Sequence, residues 1–178
     1  MLFRSGGLEA RDANGRTPLH VAAFQRQRAA LVALIRAGAR TDALDRQKYD
    51  AVTIASVADD TETLRVLIDN GASAKLVTSV YDGAALIAAA HLGHDEVVRL
   101  LIRAGAPLDH VNNLGWTALL EAVLLGDGGA VHTEIVRLLV EAGANPNIAD
   151  REGVTPLGHA KRRGFAGMVR ILAAAGAR

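Results

Sequence analysis

The sequence contains no cysteine. Disulfide cross-links and thiolate chemistry are therefore excluded, and the absence suits either side of a membrane equally well. Aromatic residues are nearly as scarce: three Phe, two Tyr and one Trp, 3% of 178 residues. Half of the chain is hydrophobic, so the core must be built from Leu, Val, Ile and Ala, whose modest size favours closely packed helices over a sheet sandwich. An excess of one charge is missing too. The 20 basic and 19 acidic residues leave a net charge of +1, from which no strong pull towards nucleic acid or an anionic membrane follows. No apolar run approaches the ~20 residues that span a bilayer. The opening stretch MLFRSGGLEAR is too short and too polar for a signal peptide. A cytoplasmic location is the default expectation, with export after loss of a signal peptide as the alternative.

What the chain does have is a period. "GRTPLHVAA", Gly15 to Ala23, places a proline four residues into a stretch that ends as a helix. The proline is harmless if Thr17 is the N-cap and Pro18 the first helical residue, where no amide hydrogen bond is lost and φ is already helical. The same position recurs at Asp50, Ala84, Thr117 and Thr155, at intervals of 33, 34, 33 and 38 residues. A second marker, Gly-Ala, recurs at Gly38, Gly71, Gly105, Gly143 and Gly176. The longer interval reflects an insertion in the fourth unit. A fixed period of this size implies a solenoid, in which each unit buries its apolar face on its neighbours. Each unit reads as a capped short helix, then a second amphipathic helix such as "HDEVVRLLIRAGA", with Asp95 and Glu96 in its first turn and Gly105 ending it.

"DANGRTPLHVAA", "DREGVTPLGHA", "LIRAGA" and "LVEAGANPNIAD" resemble the ankyrin repeat over nearly the whole chain. The resemblance implies an all-α ankyrin-repeat solenoid of about five helix-turn-helix units with β-hairpin-like fingers, forming one domain over residues 1–178. The units are expected at about 12–44, 45–78, 79–111, 112–149 and 150–178, with 1–11 a remnant of a preceding repeat. Unit two departs from the pattern at "YDAVTIAS", where Asp50 is the substitute cap, and has Asp59-Asp60 where the family has Gly-His. The finger "KLVTSVYDG" lacks the usual Asn and Asp. "GDGGAVH", Gly126 to His132, is expected as a flexible loop joining the helices of unit four, on the side away from the fingers. "LFRSGG" at Leu2–Gly7 matches the end of a second helix. Residues 1–11 are accordingly expected to be mobile. Either the natural chain continues upstream, or the apolar flank of unit one is covered by another molecule, self-association included.

Chemistry-bearing clusters are few. His91 and His94, three apart with Asp95 adjacent, have a spacing that could ligate zinc on a helix, but the resemblance gives His94, like His20, a structural role. Asp59, Asp60 and Glu62 read as a solvated helix start. "GDGG" lacks the Lys-Ser/Thr of a phosphate loop, and Lys161-Arg162-Arg163 is a lone basic run. No base–nucleophile pair can be proposed, and no cofactor is called for. The aromatics are more informative. The resemblance places Phe24, Tyr49, Tyr81 and Trp116 at variable finger and first-helix positions that line the concave, partner-binding face, where aromatics serve as anchors. Arg46, Gln47, His91, Leu92, Leu114, Leu124 and Leu125 are expected around them. The expected function is a non-catalytic module binding a protein partner, not nucleic acid or membrane. The alternatives are a metal-dependent or enzymatic function using His91, His94 and nearby carboxylates, and a structural spacer within a longer protein.

Overall fold

A computed structural model describes residues 7–178. Most of the N-terminal helix-end expectation, together with Phe3, lies outside the described residues. The proline question is answered at both Thr-Pro sites. Thr17 and Thr155 are extended N-caps, and Pro18 and Pro156 open their helices. The first helices are α1 (Pro18–Phe24), α3 (Ala51–Val57), α5 (Ala85–Leu92), α7 (Ala118–Leu124) and α9 (Pro156–Arg162). The second helices are α2 (Arg28–Arg36), α4 (Thr61–Asp69), α6 (Asp95–Arg103), α8 (Ala130–Glu141) and α10 (Ala166–Ala174). Each first helix packs on its own second helix and on the first helix of the next unit, and the second helices form a parallel layer of their own.

The caps work as their residue types require. The hydroxyls of Thr117 and Thr155 accept from the amides of Leu120 and Gly158, both at 3.2 Å. Asp50 does the same for Thr53 at 2.7 Å. Thr17 differs, because its hydroxyl bonds instead to His20 Nδ1 at 2.7 Å. Every second helix ends at its Gly-Ala marker: Gly38, Gly71, Gly105, Gly143 and Gly176 all have positive φ. The amide of the alanine that follows each then reaches back to a helix carbonyl, as Ala106 does to Leu101 at 3.0 Å.

The layers bury Leu19, Leu31, Leu64, Leu67, Leu86, Leu101, Leu119, Leu139 and Leu172. Alanines at Ala22, Ala55, Ala89, Ala122 and Ala160 occupy one equivalent position and are buried, letting neighbouring first helices approach.

The fingers repeat as regularly. One side-chain oxygen of Asp12, Asp45, Asn112 or Asp150 accepts the amides two and four residues on, at 2.8–3.1 Å. Ser79 Oγ takes the same place in unit three, reaching the amides of Tyr81 at 3.2 Å and Gly83 at 3.3 Å. In that unit alone, among the described residues, the finger carries a strand pair: β1 (Val77–Thr78) runs antiparallel to β2 (Gly83–Ala84), with Val77 opposite Ala84. At the fingertips Gly15, Lys48, Asp82, Gly115 and Gly153 all have positive φ. Neighbouring fingers are joined by backbone bonds from Arg46 to Asn14, Ser79 to Lys48 and Asn113 to Tyr81, at 2.8–3.1 Å.

Three expectations need correction, and one residue of the basic run gains a role. The insertion is not a free loop. Gly126–Gly129 make a short link, and Ala130–His132 form the first turn of α8. A methyl group at Gly128 would run into the Phe165 ring, and one at Gly126 into the Ala122 carbonyl. The acidic pair of unit two is not uniformly solvated. Asp60 is buried, caps α4 through the Thr63 amide at 3.1 Å and pairs with Arg26 and Arg28. Residues 8–11 are tied to the array. Leu8 is buried, Glu9 accepts from the Arg40 amide at 2.8 Å, and Arg11 reaches the Leu44 carbonyl at 2.6 Å. Finally, Arg163 of the basic run donates to the carbonyls of Val123 and Leu124, so this charge staples unit five to unit four.

Candidate functional site

The fingers and the first-helix layer enclose a groove of about 550 Å³ over units two to four. Tyr49, Tyr81, His91, Leu92, Leu114, Trp116 and Leu125 all line it, and these are seven of the eleven residues singled out from the sequence. Its floor is small or apolar: Thr53, Val57, Ala84, Ile87 and Ala88. Tyr81, Leu92, Leu114 and Leu125 are exposed, whereas Tyr49 and Trp116 are half-buried. Tyr49 also packs against the core. Phe24 and Gln47 sit in a neighbouring depression of about 320 Å³ that shares Tyr49 and Val57 with the groove. The Phe24 ring is 62% exposed and carries the Arg16 guanidinium 4.8 Å from its centre. Arg46 and Leu124 line neither depression. Arg46 belongs to the finger seam, its side chain lying against Gly15. Leu124 is half-buried at the end of α7, and its carbonyl is taken by Arg163.

The one carboxylate among the described lining residues was not singled out from the sequence. Glu121, in the middle of α7, is buried in the groove wall. Its Oε1 accepts from Asn112 Nδ2 at 2.9 Å, and its Oε2 faces His91 Nδ1 at 3.2 Å. Burial pushes the Glu121 carboxyl above its ordinary value, with His91 and Asn112 opposing the shift. The signal was available in the repeat phase. Glu121 follows by one residue the position of the motif histidine His20, on the turn that also places Ala88 in the groove.

The histidines serve the stack. His20 Nε2 donates to the Tyr49 carbonyl at 3.0 Å, linking units one and two, while its Nδ1 accepts from the Thr17 amide at 3.2 Å. His94 Nδ1 donates to the Ser56 carbonyl at 2.9 Å, and His110 Nε2 to that of Asp82 at 2.6 Å. His132 Nε2 donates to the His91 carbonyl at 3.1 Å. His159 lies 2.6 Å from Asp150. His91 and His94 thus turn to different units. Among the described residues, no group of three or more His, Asp or Glu side chains is arranged to hold a metal ion.

Models for ankyrin repeats match residues 14–46, 53–150 and 86–178. The chain belongs to the ankyrin repeat family. It is similar to the ankyrin repeat protein YahD of Escherichia coli (strain K12), at 37% identity over 93% of this chain and 83% of that one. Among solved structures it resembles an ankyrin repeat domain from Acinetobacter baumannii, with a TM-score of 0.90 and 46% identity over 96% of this chain and 87% of that one. It also resembles the ankyrin repeat domain of Bcl-3, a member of the IkappaB protein family, with a TM-score of 0.88 and 32% identity over 99% of this chain and 78% of that one. Ankyrin repeats are general protein–protein interaction modules, and proteins built from them are typically non-enzymatic.

Proposed function

We propose that this ankyrin array is a non-catalytic module that holds a protein partner in the groove of units two to four. One observation carries the reading: seven residues chosen for their repeat positions converge on a single apolar groove with three aromatic side chains at its rim and walls. Such a surface combines large contact area with little side-chain entropy to lose. Trp116 is the central anchor, since it is half-buried and its backbone is held by both Asn112 Oδ1 and the Asn112 amide, each at 3.0 Å. The test is cross-linking capture of a partner from the native lysate, followed by affinity measurements on variants. Trp116→Ala is expected to weaken the complex by about 2 kcal/mol or more. Arg36→Ala, at an exposed position on α2, serves as the control and should leave affinity unchanged. Equal affinities for the two variants would rule the groove out as the binding site.

A further inference from the structure

The groove is not purely apolar, and its polarity has a sign. Among the described residues lining it there is one carboxylate, Glu121, and no lysine or arginine. Lys48, next to Tyr49 in the chain, is turned to Asp82 of the next fingertip, with Nζ and Oδ1 3.8 Å apart. Glu121 Oε1 is held by Asn112, and Oε2 faces the imidazole of His91, which is itself 48% exposed. Displacement of that one exposed imidazole would free Oε2 for another donor. Tyr49, Tyr81 and Trp116 line the same space, and the faces of aromatic rings attract cations. A buried carboxylate lining the same groove as three aromatic side chains is a poor match for an acidic or purely aliphatic insert. It is a good match for a cation that carries its own apolar stem.

We infer that the groove takes a partner segment presenting a lysine or arginine side chain, with the stem against Tyr49, Tyr81 and Trp116 and the charged head on Glu121. This rests on the reading of the groove as the partner-binding site. Long basic side chains suit the geometry because their methylenes bury against apolar walls while the head reaches a charge. The bond formed would be charge-assisted on both sides, the strongest kind available in a site of this size. Burial already raises the Glu121 carboxyl above its ordinary value, and an incoming cation supplies the counter-charge that the site lacks.

The experiment is selection of random peptides displayed on phage against three immobilised proteins: the full chain, Glu121→Gln and Trp116→Ala. Glu121→Gln keeps the shape and can still accept from Asn112. Circular dichroism and unfolding midpoints establish that each variant is folded. On the unchanged chain the enriched peptides should share a lysine or arginine at one aligned position. Their synthetic copies should bind Glu121→Gln about tenfold more weakly, about 1.4 kcal/mol, and selection on that variant should lose the basic position. Enriched peptides that depend on Trp116 but share no basic position would overturn the cation assignment and leave the groove standing. So would peptides that bind Glu121→Gln equally well. Failure to enrich any peptide that depends on Trp116 would overturn the groove itself, and the cation assignment with it. Arginine amide binding as tightly as the selected peptides would show the occupant to be a small cation, against a partner segment.

Discussion

Asn112 Nδ2 donates to Glu121 Oε1 at 2.9 Å, and the two equivalent positions in unit five hold Asp150 and His159, 2.6 Å apart. The finger position needs an acceptor for two backbone amides, and both Asn and Asp provide one. In units four and five the choice between them fits the helix residue nine positions on. Opposite a carboxylate, an amide adds a donor, whereas an aspartate would add a second buried acceptor of like charge. Asn112→Asp is therefore expected to cost about 1–3 kcal/mol at neutral pH. Combining it with Glu121→His recreates the pair of unit five and should recover at least half of that loss. Urea unfolding of the two variants decides; equal destabilisation of both would refute the pairing logic.

Glu121 also predicts a pH dependence. Burial, opposed by His91 and Asn112, raises its carboxyl above the ordinary 4.5. Between that value and the raised one, the folded chain binds more protons than the unfolded chain, so this group's contribution to stability falls as pH rises. Glu121→Gln, which cannot ionise, should therefore gain on the wild type through that window. The gap should close in acid below the ordinary value. Denaturant unfolding across the pH range measures it, and a gap that widens towards acid would carry the wrong sign.

Asp59 occupies the turn between α3 and α4 at φ +52°, while the equivalent residues Gly93 and Gly164 have φ +79° and +69°. A side chain in this left-handed region costs about 1 kcal/mol, less for Asp than for most residues. Asp59→Gly should accordingly stabilise the chain by about 0.5–1 kcal/mol, net of the extra freedom that glycine gives the unfolded state. The unfolding midpoint reads this directly. Gly93→Ala should move it the other way, since the new methyl group would also press on the His132 ring.

Leu100 and Leu101 are adjacent on α6 and differ in burial. Leu101 is fully buried between the helix layers, while Leu100 is only partly so. Leu101→Ala is expected to cost about 2–5 kcal/mol, and Leu100→Ala distinctly less. Comparable losses would mean that the outer side of the second-helix layer carries as much packing energy as the inner side.

The repeat phase made much of this architecture readable. Caps, proline starts and glycine stops are set by interactions within one turn, so Thr117, Pro156 and Gly105 declare themselves in a single sequence. The same phase brought Tyr49, Tyr81 and Trp116 to one groove. It was less informative where a residue does a neighbour's work. Lys48 and Asp82 hold fingertip conformations that glycine takes in the other units, so neither stood out as a turn residue. Asp60 reads as a surface acid until Arg26 and Arg28 of the preceding unit are placed against it. Glu121 hides inside "TALLEAVLLG", which reads as an ordinary apolar helix. Its meaning comes from Asn112 on the finger and His91 on the preceding unit, neither of which is local to its helix.

The packed insertion of unit four bears on how such a chain could evolve. Arrays of similar modules lengthen and shorten by copying or losing whole units, because each touches only its neighbours through roughly interchangeable surfaces. Unit four has given up that interchangeability. Its His132 is bonded to a carbonyl of unit three, its Gly128 is fitted beneath Phe165 of unit five, and Arg163 of unit five closes on the end of its α7. Excising it would leave Phe165 and Arg163 without the surfaces they fit, and duplicating it would set an insertion against a neighbour with no matching ring. The order of units three, four and five is thus fixed by shape, and variation by duplication or loss is directed towards the ends of the array.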